Sequence, residues 1–181
     1  MSTTRMSDIV RLPLFAQSLV ACRLARRAAQ AMLTGEDQKI ALDSCDTIEF
    51  VAKHGDGWST DHPAVMATTM IRRTRGSEAT LDALRWAFDS VAAAQAALDF
   101  PVDRTVTASA NRAIQAVCSD SRVSQLQVSI LVAADIDQIA FACKEANIST
   151  YDGVSGHVLE RLAPCHALTL MEIATSAEEQ R

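Results

Sequence analysis

Two imidazoles and two carboxylates fall within the run Lys53-His54-Gly55-Asp56-Gly57-Trp58-Ser59-Thr60-Asp61-His62. Imidazole nitrogen and carboxylate oxygen suit zinc or another divalent ion, so His54, Asp56, Asp61 and His62 are the candidate metal ligands. Their spacing follows no known metal motif. A turn at Asp56-Gly57 and a helix N-cap at Asp61 would use the same residues without any metal. Trp58 lies between the glycines and Ser59. A large aromatic in such a loop is expected to pack onto the domain or to mark a contact surface.

Other combinations are thinner. His157 and Glu160 stand three apart, on one face of a short predicted helix, where an imidazole and a carboxylate could share a proton or form a surface hydrogen bond. Cys165 precedes His166, but sequence neighbours do not face each other on a helix, whereas a catalytic thiol and its base meet in space. No glycine-rich phosphate loop is present, so no catalytic residue is assigned and no cofactor is expected. Arg72, Arg73 and Arg75 precede Gly76. There they suit a helix C-terminus and could dock on an acidic surface.

Three polar residues fall on apolar helical arcs. Gln95 interrupts the stripe Leu81, Leu84, Phe88, Val91 and Leu98, so a buried or interfacial amide with a partner is expected. Arg26 falls between Phe15 and Leu19, and Asp137 between Leu126 and Phe141. Burying a lone charge is so costly that the two are predicted either to pair, packing the first and sixth helices together, or to sit at the rim with other partners.

The elements that would hold these residues are helices. The stretch Ser77–Phe100, capped by Ser77 and stopped by Pro101, reads as the helix around which the others are organised. A first helix runs from Pro13 to about Leu33, and a second from about Glu36 to Lys53, with Thr34 and Asp37 as a capping box. A short third helix carries Met66, Met70 and Ile71. A fifth begins at Asp103 with Val106, Ala110, Ala113, Ile114 and Val117 on one face. The sixth, about Arg122 to Ala146, is apolar around most of its circumference and is expected to be buried. A short helix from about Val154 to Leu162 follows, and Cys165 to Ala174 reads as either a last helix or an extended tail.

The chain has 181 residues, 49% hydrophobic and 4% aromatic, with six glycines and four prolines. That composition indicates an aliphatic, alanine-rich core and few tight turns. The expected fold is all-α: a single-domain bundle of six to eight helices over residues 8–174, antiparallel neighbours joined by short loops. A flexible N-terminus at 1–7 and a polar tail at 175–181 flank it. The net charge of −5 argues against a nucleic-acid partner. Residues 1–75 hold 10 Lys/Arg and 8 Asp/Glu, while residues 76–181 hold 7 and 14, so the acidic excess lies in the second part.

The five cysteines, Cys22, Cys45, Cys118, Cys143 and Cys165, contain no C-x-x-C pair, and the first four fall in apolar helical contexts. They read as small buried hydrophobes in a reducing, cytoplasmic setting. Leu19-Val20-Ala21-Cys22 resembles a lipoprotein cleavage box, but Asp8 and the helix continuing past Cys22 argue against it. Arg23 interrupts the first apolar run, and Asp135 with Asp137 the second, so no membrane span is expected. The function expected is a non-enzymatic helical module that binds another protein or itself as a homodimer. The alternative is a metal-dependent or ligand-binding bundle with its site near His54, Asp56, Asp61 and His62.

Overall fold

A computed structural model describes residues 6–55, 78–97 and 103–171. Among these residues six α-helices follow a 3-10 helix at Met6–Arg11: α1 (Leu14–Met32), α2 (Gly35–His54), α3 (Glu78–Ala96), α4 (Asp103–Cys118), α5 (Gln125–Glu145) and α6 (Gly156–Arg161). The fold is all-α. Among the described residues the β-type pairing is an isolated antiparallel bridge between Val123 and Leu170.

The helix at the centre is α1, not the Ser77–Phe100 stretch. It packs against α2, α3, α4 and α5, and its apolar residues from Leu14 to Ala29 are buried. Fifteen of its nineteen residues are buried, Ser18, Arg23 and Arg27 among them. Small side chains at Ala16, Ala21, Ala25, Ala28 and Ala29 let the surrounding helices approach, while Phe15, Leu19 and Leu24 fill the space between them. On α3 the buried face runs through Ala83, Leu84, Ala87, Val91 and Ala94. Gln95 is half-buried at its edge, so the apolar arc is shifted from the expected phase.

Local chemistry sets the boundaries. Thr34 makes no capping hydrogen bond through its side chain, so the expected capping box does not form. Ser124 does cap α5, accepting from Gln127 N–H at 3.4 Å. That start is three residues later than expected, because Asp120 holds Arg122 in a turn through the backbone N–H at 2.9 Å, Nε at 3.0 Å and Nη2 at 2.7 Å. At the other end of α2, Gly55 (φ +59°) terminates the helix, and Gly153 lies against it. A Cβ on Gly153 would fall 2.6 Å from the Lys53 carbonyl oxygen. This close approach lets Val154 N–H donate to the Ala52 carbonyl at 2.7 Å.

After α6 the chain is extended through Met171, resolving the ambiguity over Cys165–Ala174 in favour of an extended segment as far as it is described. It is fastened along its length. Gln138 Oε1 accepts from Ala163 N–H at 3.2 Å, Leu168 N–H donates to the Arg27 carbonyl at 3.3 Å, and Met171 N–H donates to the Arg122 carbonyl at 2.7 Å.

Candidate functional site

The charged centre of the molecule lies between α1 and α5. Arg23 and Arg27 stand one turn apart on α1, so both guanidinium groups reach the same side. Asp135 on α5 meets them. Arg23 Nε donates to Asp135 Oδ1 at 2.9 Å, Arg27 Nη2 donates to the same oxygen at 3.1 Å, and Arg27 Nη1 donates to Oδ2. The Ala163 carbonyl takes a further bond from Arg23 Nη2 at 2.7 Å, so the extended segment closes the cluster. All three side chains are buried. Burial works against the Arg27 charge, but the hydrogen bonds and Coulomb attraction of Asp135 outweigh it and hold its pKa above the ordinary value. Two guanidiniums and one carboxylate in this packed position join helices; the arrangement presents no reacting atom to solvent.

Of the two arrangements expected for Arg26 and Asp137, the mutual pair does not form. Arg26 lies on the α2 side of α1, where Nη2 meets Asp46 Oδ1 at 2.8 Å and Glu49 Oε1 at 3.0 Å. Asp137 is exposed on the far side of α5. The first and sixth expected helices, now α1 and α5, do pack together through a buried Arg–Asp contact, but other residues make it.

Among the expected metal ligands, His54 is at the end of α2, where its Nδ1–H donates to the Phe50 carbonyl at 2.7 Å and its ring lies 4.0 Å from that of Phe50. Asp56, Asp61 and His62, the aromatic Trp58, and Arg72, Arg73 and Arg75 lie outside the described residues. Among the described residues no group of three His, Cys, Asp or Glu side chains is placed to hold a metal ion.

His157 and Glu160 are 3.7 Å apart with both side chains exposed, a surface pair. His157 borders a shallow groove of about 260 Å³ between α5 and α6, lined also by Ala142, Glu145, Ala146, Val158 and Arg161. Arg161 and Glu145 close one side of that groove with a 2.6 Å bond. Burial pushes the Cys165 thiol up, against the opposing pull of Arg23 and Arg27, so it stays protonated beside an exposed His166. A protonated thiol is a poor nucleophile.

The feature that sequence reasoning missed is the outer face of α5. That helix was expected to be buried, yet Leu126 is 71% exposed, Ile130 60% and Phe141 63%. Ala134 is exposed between them, and Asp137 is the charged residue within the stripe. The inner face, with Val128, Val132, Asp135, Ile136 and Ile139, packs on the fold. Spacings of four, four and seven residues would have revealed the second apolar stripe, had it been counted apart from the first. By length and composition α5 is also the described helix apolar enough to cross a membrane, since Asp135 and Asp137 do not interrupt it sufficiently. In the fold its inner half is packed against α1.

No family model matches this chain, and neither a curated protein nor a solved structure is significantly similar to it.

Proposed function

We propose that this protein is a non-enzymatic helical interaction module that pairs with a second copy of itself through the outer face of α5. The observation that carries the reading is the exposure of Leu126, Ile130 and Phe141 on one side of a helix whose other side is core. Monomeric surfaces rarely leave large apolar side chains aligned in this way without a partner.

A second copy suits the spacing. Leu126 and Phe141 lie eight and seven residues either side of Ala134. An antiparallel α5 crossing at Ala134 therefore sets each Leu126 beside the partner copy's Phe141, with the small side chain where the backbones come closest. The same patch serves both subunits, as a two-fold contact requires. The strip from Leu126 to Phe141 is about 22 Å long at the rise of an α-helix. One helix width over that length buries less than the roughly 800 Å² per partner of a standard interface, so a weak, reversible dimer is expected.

Sedimentation equilibrium across a dilution series tests this. The wild-type chain should move from dimer to monomer with dilution in the micromolar range or above. Ile130→Glu should be monomeric throughout, with unchanged helical circular dichroism because the side chain is exposed. A wild-type chain that remains monomeric at millimolar concentration would overturn the reading, as would an Ile130→Glu variant that dimerises equally well.

A further inference from the structure

The α1–α2 hairpin places two thiols opposite each other. Near its turn, Gln38 on α2 donates from Nε2 to the Ala29 carbonyl on α1 at 3.5 Å. Seven residues in opposite directions from that pair, two turns along each helix, bring Cys22 opposite Cys45. The Cys22 thiol lies 3.4 Å from the Cys45 carbonyl oxygen, to which it donates. A sulfur that close to the other residue's backbone sets the two cysteines side by side across the hairpin, the neighbourhood a disulfide needs. Both residues are completely buried.

A cation stands beside them. Arg26 follows Cys22 by one turn, and helical side chains lean toward the N-terminus, so it reaches back over Cys22. Asp46 and Glu49 hold its guanidinium there, at 2.8 and 3.0 Å. An ionised sulfur at either cysteine would meet that charge. A fixed guanidinium favours the thiolate over the thiol. Opposing it, hydrogen bonding to Cys45 and burial hold the Cys22 thiol well above the ordinary thiol range. Both cysteines are free, and Cys22 rests as a thiol.

We propose that Cys22 and Cys45 are an oxidisable dithiol, a modification site at which hydrogen peroxide installs a disulfide that staples α1 to α2. Peroxide is the oxidant because it is small enough to reach buried sulfur when the hairpin breathes, whereas a bulky disulfide needs the helices to part. One thiol loses its proton and its sulfur attacks peroxide; the O–O bond breaks, a sulfenic acid forms and water leaves. The second sulfur then attacks the sulfenic sulfur, the S–O bond breaks, and the departing hydroxide takes the second thiol proton as water. Two thiols are oxidised to one disulfide, and one peroxide is reduced to two waters.

The test exposes the full-length reduced chain to hydrogen peroxide, blocks remaining thiols with iodoacetamide in denaturant, and maps tryptic peptides without reduction. The expected product joins peptide 12–23 to peptide 40–53 through Cys22 and Cys45, two hydrogens lighter than their sum. The oxidised chain should melt higher by roughly 5–10 °C, the gain expected from closing a loop of this length. Cys45→Ala should abolish both effects. Should that variant fail to fold, Arg26→Gln serves instead, since it leaves both thiols in place. It should slow crosslinking severalfold, because removing the cation leaves less thiolate, while Arg26→Lys retains the rate. Crosslinking at the wild-type rate in Arg26→Gln would overturn the role of the guanidinium. Full alkylation of both thiols after peroxide, sulfinic acid at either without a crosslink, or oxidation confined to Cys118, Cys143 and Cys165 would overturn the site.

Discussion

Arg27 grips Asp135 with two nitrogens, one to each carboxylate oxygen, and in doing so ties α1 to α5 in the interior of the bundle. Arg23 adds a third bond to the same carboxylate, so one anion satisfies two cations. Removing the anion leaves both guanidiniums buried without their counter-charge. Asp135→Ala is expected to destabilise the fold by roughly 3–5 kcal/mol in urea unfolding. The triple variant Arg23→Met, Arg27→Met, Asp135→Leu should cost far less, because apolar groups of similar volume carry no desolvation penalty. Similar losses in the two variants would show that packing volume, not charge, holds this position.

Arg26 provides the contrast on the same helix. Arg26 itself retains 16% of its side-chain exposure, but its partners Asp46 and Glu49 retain 67% and 28%, so the pair is open to water on the carboxylate side. Exposed ion pairs contribute about 0–1 kcal/mol, since water and salt screen them. Arg26→Gln is therefore expected to shift the unfolding midpoint little, and added salt should reduce even that shift. A loss matching Asp135→Ala would contradict the placement of Arg26 at the rim.

The helices were legible because apolar residues recur at helical spacing, and Pro13 marks the start of α1, although the capping box read at Thr34 does not form. Which polar residue meets which was not. Periodicity identifies a buried face only when one face is buried, and α1 is surrounded by four helices, so Arg23, Arg26 and Arg27 all fall in apolar company. Only the arrangement of neighbours separates Arg26, facing α2, from Arg23 and Arg27, facing α5. On α5 the same ambiguity took a different form. Two apolar stripes share one helix, so Asp135 in the inner stripe and Asp137 in the outer one look alike in sequence. The outer stripe, and with it the candidate interface, merged into a helix that read as buried all round. The Cys22–Cys45 juxtaposition was hidden for another reason. It depends on the register of the hairpin across Leu33 and Thr34, which composition does not encode.

Gly153 makes a prediction about backbone approach. Its Cα packs so closely on the end of α2 that an added methyl would sit 2.6 Å from the Lys53 carbonyl and 2.7 Å from Gly55 N. Neither is a flexible side chain, so the segment must move and the 2.7 Å Val154–Ala52 bond must lengthen or break. Gly153→Ala is expected to cost on the order of 1–3 kcal/mol. Gly156→Ala is the control, because its new methyl meets only the mobile end of Lys53 at 3.4 Å. Hydrogen exchange at Val154 should quicken in the first variant and not in the second.

Cys143 gives a pH prediction. Burial pushes its thiol up to about 11. The folded chain holds this proton more tightly than the unfolded chain, whose thiol titrates near 8.5. The contribution is fully present below about 8.5 and is lost as pH rises toward about 11. Unfolding midpoints measured from pH 8 to 11 should fall, and Cys143→Ala should flatten part of that slope. Iodoacetamide at pH 8 should label Cys143 far more slowly than it labels the unfolded chain, because little thiolate is present. A slope unchanged by the substitution would assign the alkaline loss to other groups.

Ser90 joins three helices through one hydroxyl. Its Oγ donates to the Val106 carbonyl on α4 at 3.1 Å, which uses its single proton. The 2.9 Å contact with Ser18 Oγ therefore has Ser18 on α1 as donor, and both residues are fully buried. Ser90→Ala removes a donor to Val106 and the nearer acceptor of Ser18, which keeps only the Leu14 carbonyl at 3.5 Å. Weakening the bonds of a buried hydroxyl costs up to roughly 1–3 kcal/mol, whereas removing both partners of a bond can be nearly neutral. Ser90→Ala is thus expected to be the more damaging single change, Ser18→Ala the milder one, and the double variant less harmful than their sum. A double-mutant cycle by urea unfolding reads this directly: the expected coupling is about 1 kcal/mol in favour of the pair. Strict additivity would mean that the two hydroxyls do not share a proton path across α1, α3 and α4, and that the alanines around them alone set the spacing of these helices.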